Sequence, residues 1–147
     1  MMHCFSEHRQ AFHKQLMNEI GDYQYRFSRH QTVYSIALAF TPDETINLEF
    51  FASHLRRNDK FIPFQPNLCA IIFDATNDAQ GIKASENILS SVENHFFTTP
   101  LYMAVVTAEE ETSEFQMIYN LFDLVKYAIE HTMTNEVIER SQIIRYG

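Results

Sequence analysis

Residues 60–74 read KFIPFQPNLCAIIFD: two apolar segments, Lys60–Ile62 and Leu68–Asp74, divided by Pro63-Phe64-Gln65-Pro66-Asn67. Proline has no amide to give a sheet ladder, so two prolines between two β-prone runs predict a β-hairpin. Upstream, Thr32–Phe40 (TVYSIALAF) is β-branched and apolar, has no internal breaker and stops at Thr41-Pro42, which predicts a buried strand. Thr41-Pro42-Asp43-Glu44 has the proline and early acids of a helix start. Asp43–Leu55, with Ile46, Phe50 or Phe51, and Leu55 on one side, then predicts a short helix. Downstream, Asn77 or Asp78 caps a helix running to about His95, with Ile82, Ile88, Leu89 and Val92 facing inwards. Thr98-Thr99-Pro100 leads to another buried strand, Leu101–Thr107 (LYMAVVT).

Towards the termini the period changes to that of helices. Phe12, Leu16, Ile20, Tyr23 and Phe27 form one stripe along Phe5–Phe27, interrupted by Gly21. Ser113–Thr132 carries Phe115, Ile118, Phe122, Val125 and Ile129 at three-four spacing, and Glu136–Glu139 predicts a short edge strand. The central order β-α-β-β-α-β is that of the ferredoxin-like split unit, an α+β fold: an antiparallel sheet with helices on one face, here with an added N-terminal helix and a C-terminal α-β unit. No repeat or linker divides the chain, so residues 1–147 read as a single domain.

Composition narrows the class. Of 147 residues, 46% are hydrophobic and 20% charged, enough core and too little charge for a disordered chain. The formal net charge of -8 opposes non-specific binding to nucleic acid or to anionic lipid. No apolar run approaches the roughly 18–20 residues of a membrane span, and the first residues lack the pattern of a signal peptide. Cys4 and Cys69 are neither a disulfide framework nor a zinc pair, so a reduced, cytoplasmic protein is expected. His3, Cys4, His8 and His13 do not have metal-ligand spacing, and no Walker loop, Rossmann fingerprint or nucleophile elbow is present. Neither a metal nor a cofactor is expected.

The element order resembles the GGDEF domain of diguanylate cyclases, and local residues follow it along nearly the whole chain. His8-Arg9-Gln10-Ala11-Phe12 resembles the segment that opens the family's first helix, and Ser35–Phe40 its first strand. Arg56-Arg57-Asn58-Asp59 resembles the RxxD inhibitory motif, and its distance from Gln65-Pro66-Asn67-Leu68-Cys69 places that pentapeptide where the signature Gly-Gly-Asp/Glu-Glu-Phe stands. Asp123, Tyr127 and Asn135 match the last helix and the asparagine after it.

The departures matter as much. Gln65 and Pro66 replace two glycines that let backbone approach GTP, while Asn67 and Leu68 replace acids. Phe40-Thr41-Pro42 ends the first strand without the second metal carboxylate, and Glu130 and Thr134 take the positions of phosphate-binding cations. The resemblance therefore implies a degenerate, catalytically inactive domain with no catalytic residues, since phosphoryl transfer depends on metal and cationic clamps. It also implies a cyclic di-GMP site at Arg56 and Asp59, with Arg57 and Lys83 as supporting cations; a further arginine of that site falls on Asn87. Arg56 would fork onto guanine and phosphate while Asp59 accepts from a guanine edge. The alternative is a protein-interaction module without a nucleotide ligand, with a protein partner or homodimer as its target. Leu121 and Leu124 widen the apolar stripe of the last helix in a way that suits such contacts.

Overall fold

The computed structural model describes the backbone of residues 2–95 and 100–140 and the side chains of residues 5–91 and 100–140. The elements run α1 (Met2–Glu19), α2 (Gly21–His30), β1 (Ser35–Phe40), a 3-10 helix (Leu48–His54), β2 (Lys60–Gln65), β3 (Leu68–Phe73), α3 (Asp78–His95), β4 (Tyr102–Thr107), α4 (Glu114–Glu130) and β5 (Val137–Ile138). The strands form one five-stranded sheet in the order β2-β3-β1-β4-β5. The first four are antiparallel, as the split unit requires, and β5 adds in parallel to β4 at Met103 and Ala104.

Every residue of β1 and β3 is buried, because the sheet is covered on both faces. Ile36, Leu38 and Phe40 point to one side with Leu68, Ala70 and Ile72, where Phe5, Phe12 and Leu16 of α1, Ile20 just after it, and Ile118, Phe122 and Val125 of α4 complete a core. Ala37, Ala39, Cys69, Ile71 and Phe73 point to the other, where Leu48 and Phe51 of the 3-10 helix and Ile88 and Leu89 of α3 complete a second. The two connecting helices thus share a face as expected, but the terminal helices cover the opposite face instead of leaving it bare. Burial silences Cys69, whose thiol titrates far above its usual range. No helix among the described residues is long and apolar enough to cross a membrane.

Three further expectations change. The first stripe belongs to two helices, since α1 ends at Glu19 and α2 starts at Gly21, with Ile20 between them. No helix begins at Thr41-Pro42-Asp43-Glu44: the Asp43 carboxylate instead accepts from the amide (3.0 Å) and hydroxyl (2.6 Å) of Thr45, closing a local turn that competes with helix. Asn47 is the actual cap, accepting from the Glu49 amide at 2.9 Å, and only Leu48–His54 coils, as a 3-10 helix with Phe51 rather than Phe50 fully buried. Phe115 stands 55% exposed, because the buried stripe of α4 starts at Met117. Of the two caps expected for α3, Asn77 is the one used, its side chain and that of Gln80 each accepting from the other's amide at 2.9 Å. The readings of Val92, His3 and Cys4 side chains and of Thr98-Thr99 lie outside the described residues.

Candidate functional site

Between the 3-10 helix and β2 the chain reverses over Arg56-Arg57-Asn58-Asp59, with the Asp59 amide bonded to the Arg56 carbonyl at 3.1 Å. The side chains lock the reversal. Asp59 Oδ2 accepts from the Arg56 amide (3.0 Å) and Nε (3.1 Å); Oδ1 accepts from Arg56 Nη2 (2.9 Å) and the Asp74 amide (2.9 Å). Such a bidentate fork is the geometry guanidinium and carboxylate share best. Arg56 Nη2 also reaches the Asp74 carbonyl and Thr76 Oγ1 (2.8 Å), so the turn is pinned to the segment leading into α3. The Asp59 side chain is 3% exposed and that of Arg56 is 61% exposed. Hydrogen bonding to Asp59 holds the guanidinium even further above neutrality.

From the other side, Tyr23 of α2 donates its hydroxyl to the Asn58 carbonyl at 2.9 Å. Arg26 lies over the Tyr23 ring and pairs with Asp74 at 2.7 Å, and Lys60 pairs with Glu19. Tyr23, Arg26 and Lys60 line an open cleft of about 620 Å³ between α2 and the turn, together with Asp22, Tyr25, Arg57, Asn58 and Asp59. Arg57 has no hydrogen bond or ion pair with any described residue.

The structure therefore brings Arg56, Arg57 and Asp59 into one turn. Lys83 sits exposed on α3, on the far face of the sheet from α2, and lines no part of the cleft. Sequence reasoning missed Tyr23, Tyr25 and Arg26; the only signal for them was the aromatic and basic content of GDYQYRFSRH.

At the hairpin, Pro66 and Asn67 form the two-residue turn between β2 and β3. It is fastened down: the Leu48 amide donates to the Pro66 carbonyl (2.7 Å), the Thr41 amide to the Asn67 carbonyl (3.0 Å), and Asn67 Nδ2 to the Thr41 carbonyl (2.8 Å). A hollow of about 260 Å³ beside it is lined by His8, Phe40, Glu44, Gln65, Pro66, Asn67 and Leu68. Glu44 is the one carboxylate in that lining. Among the described residues no three His, Cys, Asp or Glu side chains converge as a metal site would need.

Two matches noted at distant points of the sequence meet in space: Arg9 of α1 pairs with Asp123 of α4 at 2.7 Å. Asn135, in the left-handed region (φ 58°), donates its amide to the Leu101 carbonyl at 2.8 Å and accepts from the Leu101 amide, which seats β5 beside β4.

No protein-family model matches the sequence, and no curated protein matches it. Solved structures do. A microbial GGDEF domain studied with cyclic di-GMP superposes with a TM-score of 0.69 at 12% identity, over 87% of this chain and 92% of that one. The chain has a GGDEF-like fold. The coiled coil and GGDEF domain of DgcB from Caulobacter crescentus, in complex with cyclic di-GMP, gives 0.70 at 12% identity over 86% of this chain and 80% of that one. The diguanylate cyclase SiaD of Pseudomonas aeruginosa, in complex with its activator SiaC, gives 0.69 at 12% identity over 86% of this chain and 57% of SiaD. Within this GGDEF-like fold the Arg56–Asp59 turn and the Pro66-Asn67 turn lie at opposite ends of β2.

Proposed function

We propose that this chain is a catalytically inactive signalling domain that binds cyclic di-GMP on the cationic side of the Arg56–Asp59 turn. The observation that carries the reading is that Arg56 is held in place by Asp59 through Nε and Nη2 while its side chain stays 61% exposed, with unpaired Arg57 beside it. A cation already fixed in one geometry loses little freedom when an anion docks, which favours binding. Asp59 enters as a positioning residue: its two oxygens accept four hydrogen bonds within the protein, so the ligand is read by Arg56 and Arg57. Lys83 contributes long-range charge only. Cyclic di-GMP complexes of domains with this fold support the ligand class. Inactivity is supported by the hairpin, where Gln65, Pro66 and Asn67 supply neither glycine freedom nor a carboxylate, and β1 ends on Phe40.

Calorimetric titration with cyclic di-GMP is expected to give saturable heat that Arg56→Ala abolishes and Arg57→Ala weakens about tenfold. Incubation with GTP and magnesium is expected to give no cyclic dinucleotide. Silence at high micromolar ligand overturns the binding reading, and product that tracks the protein through purification overturns inactivity. The second reading, a protein-interaction module, is favoured by the filled acceptors of Asp59 and by exposed Phe115 and Tyr119 on α4; the same silent titration would select it.

A further inference from the structure

The cleft between α2 and the Arg56 turn holds a carboxylate and an aromatic ring that the rest of the protein leaves unused. Asp22 lines it, is exposed, and has no hydrogen bond or ion pair with any described residue. Its neighbouring cation, Lys60, is already held by Glu19. The dipole of α2 favours an acid in the first turn, where Asp22 stands, but takes up neither of its oxygens. Tyr25 lines the same cleft and is 59% exposed, more than any other large hydrophobic side chain among the described residues. Residues three apart share a helix face, so Asp22 and Tyr25 stand together on the α2 wall, with Arg57 on the wall formed by the turn. The Arg29 guanidinium lies 5.8 Å from the centre of the Tyr25 ring and steadies it.

Guanine differs from adenine at its Watson–Crick edge, where N1–H and the exocyclic amine donate side by side. A carboxylate, which only accepts, takes both; towards adenine it meets the N1 lone pair and is repelled. Asp59 cannot be that acceptor, because its oxygens already accept four hydrogen bonds within the protein and its side chain is 3% exposed. Asp22 is the other carboxylate of the cleft, and its oxygens are free of protein donors among the described residues. The cleft, about 620 Å³, falls in the ordinary range of small-ligand sites. Arg57 lines it and Arg56 does not, so a ligand held by both arginines reaches into the cleft with one of its two nucleotide halves.

We propose that the cleft takes one guanine of the ligand, with Asp22 accepting from its N1–H and exocyclic amine, Tyr25 stacking on its plane and Arg57 countering the adjoining phosphate. Asp22 is thereby the residue that selects guanine over adenine, while the ligand's charge is held by Arg56 and Arg57. Stacking is tolerant of base identity, so Tyr25 adds affinity without choosing the base. The inference rests on the cyclic di-GMP reading above and adds base specificity to it.

The test is calorimetric titration of the full chain with cyclic di-GMP and, separately, with cyclic di-AMP, which has the same phosphates and a different base edge. The unaltered chain is expected to bind cyclic di-GMP at least about tenfold more tightly. Asp22→Ala should weaken cyclic di-GMP about tenfold and leave cyclic di-AMP unchanged or tighter, so that the preference collapses. Tyr25→Ala should weaken both ligands alike, and Tyr25→Phe should restore them. Both positions are exposed, so these variants keep the fold. Cyclic di-GMP binding that Arg56→Ala abolishes but Asp22→Ala leaves intact overturns this inference and spares the reading it rests on. An Asp22→Ala variant that weakens both ligands equally, or tightens both, also overturns it, since the carboxylate then acts as charge and not as a base reader. Silence towards both nucleotides overturns the cyclic di-GMP reading and this inference with it.

Discussion

Asp59 commits its whole carboxylate to the turn it closes. Removing it in Asp59→Ala leaves the Asp74 amide without its acceptor and the Arg56 guanidinium without its fork. Because Asp59 is nearly fully buried while Arg56 is mostly solvated, the loss is set mainly by the orphaned amide, about 2 kcal/mol, read as a shift in the urea midpoint. Asp59→Asn, which keeps an oxygen for that amide, should cost roughly half as much. His13 gives a residue-scale prediction of a different kind. It is 8% exposed between α1 and α4, its ring 4.3 Å from that of Phe115, and its Nε2 lacks a hydrogen-bond partner. Burial, reinforced by the Arg9 cation, lowers its pKa below the ordinary 6.5. Below pH 6.5 the unfolded chain therefore binds a proton that the folded chain resists, and stability falls with pH until the folded-state pKa is passed. Thermal melts between pH 7 and 5 should show this slope, and His13→Phe should flatten it.

At the scale of elements, α3 approaches β1 closely at Gly81. A Cβ built there would lie 2.7 Å from Ser35 Oγ and 2.9 Å from Ser35 Cβ. Ser35 cannot easily yield, being fully buried and bonded to the Thr76 carbonyl at 3.0 Å and Thr107 Oγ1 at 2.7 Å. Gly81→Ala, which in an exposed helix would stabilise by up to about 1 kcal/mol, is expected to destabilise by about 1–2 kcal/mol in chemical denaturation, since overpacking outweighs propensity. Strands were the most legible elements in the sequence, because SIALAF and LCAIIF lack breakers and their ends carry Pro and Asn. The segment 43–55 was misread because proline and early acids mark a helix start only when the acid does not prefer its own local turn, as Asp43 does with Thr45. Phe115 was misread because periodicity fixes the spacing of a stripe but not the turn at which burial begins. The RxxD spacing was legible; that Arg56 and Asp59 satisfy one another was not, since a motif names residue types and leaves their partners open.

At the scale of the whole molecule, the helices stand on both faces of one sheet, and β1 lies at its centre with β3 and β4 on either side. The order of secondary structure made the split unit recognisable, while the placing of the terminal helices on the opposite face depended on contacts such as Arg9 with Asp123 that no local pattern encodes. The sheet separates two cores that meet only through its backbone. The Arg56 turn belongs to the β2 end of the sheet, and β5 to the other.

That position gives β1 a use as an internal gauge. Its amides from Ile36 to Ala39 are paired on both sides and roofed above and below, so no local fraying exposes them. Their hydrogen exchange with deuterated solvent must wait for global opening. Any ligand that prefers the folded chain slows that exchange by the factor by which it is bound, whichever end of the sheet it occupies. Deuterium uptake at Ile36–Ala39 thus registers occupancy without a label on the ligand, while added protection at the Arg56 turn tells that this turn is the place filled.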